Sequence, residues 1–131
     1  MRNILRIALL IAASSCLVAA LPGVDVTGTW TGDLKGQDGR IGKVRLVLRQ
    51  EGAQISGTVG PIDKQNPGHI YDAKLEGDHL VFAADDTDDE HGLKLTYNFD
   101  LTVANGRMQG KAHGRSGDRS WTLEISATRD R

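Results

Sequence analysis

Between Leu93 and Val103 the chain alternates without a break: Leu93, Leu95, Tyr97, Phe99, Leu101 and Val103 fall on one parity, Lys94, Thr96, Asn98, Asp100 and Thr102 on the other. Successive side chains on a strand point to opposite faces, so this period of two predicts a half-buried β-strand. The pattern recurs on both sides of it. Val24 to Leu34 puts Val24, Val26, Gly28, Trp30, Gly32 and Leu34 inward, and Lys43 to Gln50 does the same with Val44, Leu46 and Leu48. Ile55, Gly57 and Val59 answer the latter across a hairpin at Glu51-Gly52. Tyr71, Ala73 and Leu75 form the inner face of a fourth strand, which Gly77-Asp78 turns onto a fifth with Leu80, Phe82 and Ala84 inward. Asn105-Gly106 is the strongest turn signal, because both central positions of a type I′ turn need positive φ. It joins the central strand to Arg107 to Gly114, and the last strand, Ser120 to Thr128, carries Trp121, Leu123, Ile125 and Ala127 inward.

Eight strands with local connections predict an all-β, antiparallel up-and-down meander. Three connections are longer, the Gly-rich Lys35 to Gly42, Gly60 to Gly68 with its two prolines and the acidic Asp85 to Gly92. A sandwich could use the same strands, but none of the connections reads as the long crossover of a Greek key. An open meander exposes two edges, and pairing the last strand with the first removes both, so the expected fold is an eight-stranded barrel.

The N-terminal stretch follows a different rule. Arg2 and Arg6 precede an apolar run from Ile7 to Ala13, continued to Ala20, and Val18-Ala19-Ala20 offers the small residues of a cleavage site. Residues 1–20 are therefore expected to be a cleaved signal peptide and residues 21–131 the barrel domain, exported to the periplasm or secreted. A rival processing site is Ala13-Ser14-Ser15-Cys16, a weak form of a lipoprotein signal in which Cys16 becomes the lipidated terminus. Cys16 is the sole cysteine, so the exported domain holds no disulfide and depends on its core. Removing residues 1–20 takes away two positive charges and no negative one, which moves the net charge from −1 to −3. A mildly acidic domain lacks the basic footprint of a nucleic-acid binder.

Gly28-Thr29-Trp30 on the first strand, with Arg129 at inward parity just after the last, resembles the Gly-x-Trp and distant Arg of lipocalin-like (calycin) small β-barrels. The resemblance implies that Gly28, Trp30 and Arg129 close one barrel end, the guanidinium lying across the indole. It also implies an interior that binds a small apolar or amphipathic ligand. The mature chain is shorter than most lipocalins and shows neither a second family motif nor a terminal helix. The same triplet is similar to avidin-like barrels, but Trp30 and Trp121 alone do not make the tryptophan-lined site that biotin needs.

Several constellations are candidates for chemistry. An eight-stranded barrel encloses a space that side chains fill or that admits one small ligand. The residues expected to line it are Trp30, Leu46, Phe82, Leu95, Tyr97, Phe99 and Trp121, and inward Gly28, Gly32, Gly57 and Gly110 either free volume or relieve curvature. Tyr97 is the polar handle, since a phenol on an inner face needs a partner. An outward row of Glu76, His79, Asn98 and His113 offers Zn²⁺ ligands, yet its histidines are two strands apart and a solvated face is the simpler reading. Asp86, Asp88 and Glu90 alternate as Ca²⁺ ligands do, but the spacing departs from an EF-hand loop. No Gly-x-Ser-x-Gly elbow or metalloprotease helix is present, so the chain reads as a non-enzyme without cofactor or metal. The alternative to ligand binding is a filled barrel that meets a cell-envelope protein, as partner or inhibitor, through Gly60 to Gly68 and Asp85 to Gly92.

Overall fold

The computed structural model describes residues 24–88 and 92–131. The signal peptide expected over residues 1–20, Cys16 included, lies outside the described residues, as does Glu90. Eight strands follow one another: β1 Gly28–Lys35, β2 Ile41–Glu51, β3 Gln54–Pro61, β4 Gly68–Glu76, β5 His79–Asp88, β6 Leu93–Ala104, β7 Arg107–Ser116 and β8 Arg119–Arg129. Each pairs with its neighbour in sequence order and the barrel is closed. The closing ladder is antiparallel and runs from Trp30 opposite Arg129 to Lys35 opposite Glu124. Closure pairs the first and last strands, which answers most of the edge problem of an open meander, although β3 and β4 share only the pairs Thr58–His69 and Val59–Gly68 and splay apart beyond them. Among the described residues no helix is long and apolar enough to cross a membrane.

The inward parity of most strands matches the alternation. Trp30, Leu46, Leu80, Leu101 and Met108 are completely buried, and Phe82 stacks on Phe99 with centroids 4.6 Å apart. The inward Gly32, Gly57 and Gly110 mark close approaches of neighbouring backbones rather than free volume. A Cβ on Gly57 would stand 1.9 Å from the Val47 carbonyl oxygen, and one on Gly110 would stand 2.0 Å from that of Asp100. Only a residue without a side chain lets the strands draw that close as the sheet bends into a small barrel.

The alternation misplaced three elements. β4 carries a bulge: Ile70 faces Ala84 and Leu75 faces Leu80, so β4 has one residue more than β5 between the same two pairs. Asp72, at φ 53°, takes up the extra residue. The parity therefore flips, Ile70 points inward, and Tyr71, expected in the core, is 41% exposed. Next, the acidic stretch is not a loop from Asp85 onward, because Asp85 to Asp88 continue β5 and pair with Thr96 to Leu93. That register sets His79 opposite Thr102 and Ala83 opposite Asn98, so the expected line of Glu76, His79, Asn98 and His113 is broken. Glu76 does face His79 and Asn98 does face His113, but the two halves lie apart along the strands. His79 instead pairs with the Asp100 carboxylate. Among the described residues no cluster of three or more His, Cys, Asp or Glu is arranged to hold a metal ion.

The third difference is at the start. Val24 to Thr27 are not strand but a short segment laid across one end of the barrel. Val26 is fully buried there, its N–H donates to Gln50 Oε1 at 2.9 Å, and its carbonyl accepts from Trp30 Nε1 at 3.0 Å. The Val24 N–H reaches the Gly77 carbonyl at 3.5 Å, and Gln50 N–H donates to Thr27 Oγ1 at 3.0 Å.

Candidate functional site: a cleft at the open end

The two ends of the barrel differ in packing. At the end plugged by Val26, the Arg129 guanidinium lies 4.6 Å from the centre of the Trp30 ring and donates to the Asp25 carbonyl at 2.5 Å. Gly28 adopts φ 142°, a conformation that side-chain-bearing residues rarely take, and packs against the Arg129 stem. Leu46, Leu101, Val103 and Met108 fill the barrel with essentially no exposure. The Asp25 carboxyl is held below its ordinary value by hydrogen bonds from Thr27, backbone first, then side chain, with Arg129 adding a smaller pull.

The opposite end keeps a cavity of about 80 Å³. Its walls are Leu34, Val44, Val59, Phe99, Ala112 and Leu123, one apolar side chain after another from six strands. Tyr97, Asp85 and Asp86 stand where it opens. The cavity exists because Ala84 and Ala112 sit where larger residues would complete the core, and both are buried. Tyr97 packs on Phe99 with centroids 6.3 Å apart and meets Trp121 edge-on at 5.9 Å. Trp121 is drawn in over Gly114, where a Cβ would collide with the indole at 2.4 Å.

Beside this mouth runs the connection from β3 to β4, a strap tied to β5 through Asp86. Lys64, on the connection from β3 to β4, pairs with the Asp86 carboxylate and donates to the Thr87 carbonyl at 3.4 Å. The Lys64 and Asp86 side chains are 22% and 27% exposed, so the pair is largely withdrawn from water. The connection is anchored by Ile62 N–H to the Lys43 carbonyl and by Lys64 N–H to the Pro61 carbonyl, at 3.1 and 3.0 Å. Beside it, Asp85 gathers three donors. Tyr71 and Thr96 hydroxyls reach its Oδ1 at 2.8 and 3.2 Å, and Lys94 lies 3.2 Å from Oδ2. The Tyr71 hydrogen bond is the main reason that the Asp85 carboxyl sits below its ordinary value, with Lys94 contributing in the same direction. The same bond raises the Tyr71 phenol. For Tyr97, burial dominates and pushes the phenol up, while the Trp121 side chain, a donor toward its oxygen, pulls the other way.

The expected lining residues therefore divide. Tyr97 and Phe99 border the cavity, and Trp121 flanks it through Tyr97. Leu95 stands on the same strand face toward the rim, half-buried opposite Asp86. Trp30, Leu46 and Phe82 belong to the packed part of the barrel, so the space available to a ligand lies at one end rather than along the axis. The pairing of Lys64 with Asp86, the latter singled out only as a candidate Ca²⁺ ligand, escaped sequence reasoning because an ion pair between a loop and a strand leaves no periodic trace. The signal for the wall was present in the inward parity of Leu34, Val44, Val59 and Leu123.

The fold and the cleft define a small closed β-barrel, plugged at one end and open at the other. The chain is similar to the solved structure of a redesigned β-barrel, with 15% identity and a TM-score of 0.52 over 81% of this chain and 92% of that one. At that identity the likeness concerns the fold. No protein-family model matches the chain, and no curated protein does.

Proposed function

We propose that this protein is an exported barrel that binds a small apolar or amphipathic molecule end-on in the cleft beside the Lys64–Asp86 strap. The observation that carries the reading is the contrast between a solid plugged end and an apolar cavity of about 80 Å³ at the other. Whole-ligand pockets are commonly about 300–1,000 Å³, so the cleft takes one end group and leaves the rest of the ligand at the rim. A packed barrel needs no such space, and leaving it empty forfeits dispersion contacts. Its opening by a phenol and a shielded ion pair gives the apolar floor a polar threshold, the arrangement that orients an amphiphile.

Filling the cleft tests this. Ala112→Leu adds three carbons at a buried wall position and is expected to abolish binding of heptan-2-one, followed by calorimetry or tryptophan fluorescence, while leaving the melting temperature unchanged or raised. Unchanged binding by a folded Ala112→Leu protein would remove the reading.

A second reading, docking of a cell-envelope protein at the rim, is supported by Ile41 and Leu93, 66% and 52% exposed at the open end. Ile62, 38% exposed, adds a third aliphatic there. Exchanging all three for serine separates the two, because it removes a docking rim without touching the cavity walls.

A further inference from the structure

The chemistry of the mouth narrows the class of ligand, on the premise that the cleft is a ligand site. Three features bear on it. The apolar space is short and ends within the barrel, because Phe99 stacked on Phe82 blocks the way toward the packed half. Both lysines that reach the mouth are engaged, Lys64 with Asp86 and Lys94 with Asp85, and each pair brings one carboxylate for one ammonium. Tyr97 lines the cavity, its ring meets Trp121 edge-on at 5.9 Å, and among the described residues its O–H donates to no acceptor.

We propose that the cleft selects uncharged molecules in which an apolar end group of about five heavy atoms is followed by a hydrogen-bond acceptor, such as a ketone or ester oxygen, that receives the Tyr97 hydroxyl. The size follows from a cavity of about 80 Å³, with roughly 15 Å³ for each water-sized occupant. Selection against anions follows from charge. A ligand carboxylate seated above the apolar floor would lose its water and face Asp85 and Asp86, whose counter-ions are already committed. Selection for an acceptor follows from the phenol, which is protonated at neutral pH and able to donate. A site with a donor placed at the edge of an apolar pocket discriminates strongly against analogues that leave the donor unmatched.

Two homologous series on the full-length protein test the proposal, the 2-alkanones from butanone to octan-2-one and the carboxylates of equal length, with benzene as a probe without acceptor. Ketone affinity is expected to rise about fourfold per methylene until the cleft is full, then to flatten. Carboxylates at neutral pH are expected to bind at least about tenfold more weakly than ketones of the same length. Tyr97→Phe keeps the ring packing and is expected to weaken ketones about fivefold while leaving benzene unchanged, its melting temperature serving as the check on folding. Equal affinities for ketone and carboxylate, or no effect of a folded Tyr97→Phe on ketones, would overturn the selectivity while the cleft itself stands. If neither ketones nor benzene bind the unaltered protein, the cleft reading falls as well.

Discussion

Two glycines on different strands of the barrel, Gly110 and Gly42, lead to opposite predictions from the same substitution. Gly110 lies on β7 between Leu101 of β6 and Ile125 of β8, and a Cβ there would stand 2.0 Å from the Asp100 carbonyl oxygen and 2.9 Å from the Leu101 Cα. Both are backbone atoms, which cannot swing aside. Relief requires β6 and β7 to part by about 1 Å, stretching their ladder bonds from about 2.9 Å toward 3.9 Å, where they cease to be hydrogen bonds. Two such bonds at about 1 kcal/mol each, with about 1 kcal/mol of lost packing, put Gly110→Ala near 3 kcal/mol destabilising. Gly42, on β2, has no atom within 4 Å of its Cβ position. Gly42→Ala is therefore expected to stabilise by about 0.5 kcal/mol, through the freedom it removes from the unfolded chain. At about 4 °C per kcal/mol, thermal unfolding followed by circular dichroism should separate the two variants by roughly 14 °C. Urea unfolding gives the same difference independently. Midpoints within about 4 °C of one another would refute the claim that the close approach of β6 and β7 at Gly110 requires a glycine.

Other consequences are sharper in direction than in size. A double-mutant cycle on Trp30→Leu and Arg129→Met should return a coupling of about 1 kcal/mol, since the guanidinium faces the indole while its outer side meets water; a null coupling would deny the cation–π contact. Asp85 has a folded value below its unfolded one, so its contribution is complete above about pH 4 and is lost as pH falls through the folded value. Asp85→Asn should accordingly narrow the gap between melting temperatures at pH 6 and pH 2.5, and an unchanged gap would count against the network. Tyr97 has the reverse sign: its raised phenol makes stability fall once the unfolded chain begins to ionise, above about pH 10, and Tyr97→Phe should flatten that alkaline limb. Asp72 adopts φ 53° at the bulge, so Asp72→Gly should stabilise by about 0.5 kcal/mol and Asp72→Val destabilise by about 1 kcal/mol, as read by urea midpoints.

Alternation alone was enough to count the strands and place most inward residues, because a face pressed into a core cannot be polar. Leu80, Leu101, Met108 and Ala127 are buried where the period of two puts them. The same rule failed at Tyr71, since a bulge adds one residue without altering the local composition and reverses every side chain beyond it. It also failed at Asp85 to Asp88, where consecutive acids read as a loop. Their strand is held by the ladder to β6, with Lys94 and Lys64 offsetting the charge. The cleft was legible only as a set of inward positions. Which of them enclose space depends on the tilt of the strands and on where Ala84 and Ala112 fall relative to Phe99, and neither is encoded in any one segment.

The seam between β1 and β8 has a consequence for how the chain acquires its shape. Every other ladder forms between neighbours in sequence, but this one joins Trp30 to Arg129, nearly the whole length of the domain. Such a contact is slow to form, because the entropy of bringing distant segments together must be met before the contact returns anything. Until it forms, the opening strand waits with one side unpaired and the Val26 plug has no floor to rest on. Folding speed should therefore respond far more to changes at residues 124–129 than to equal changes in the hairpin turns.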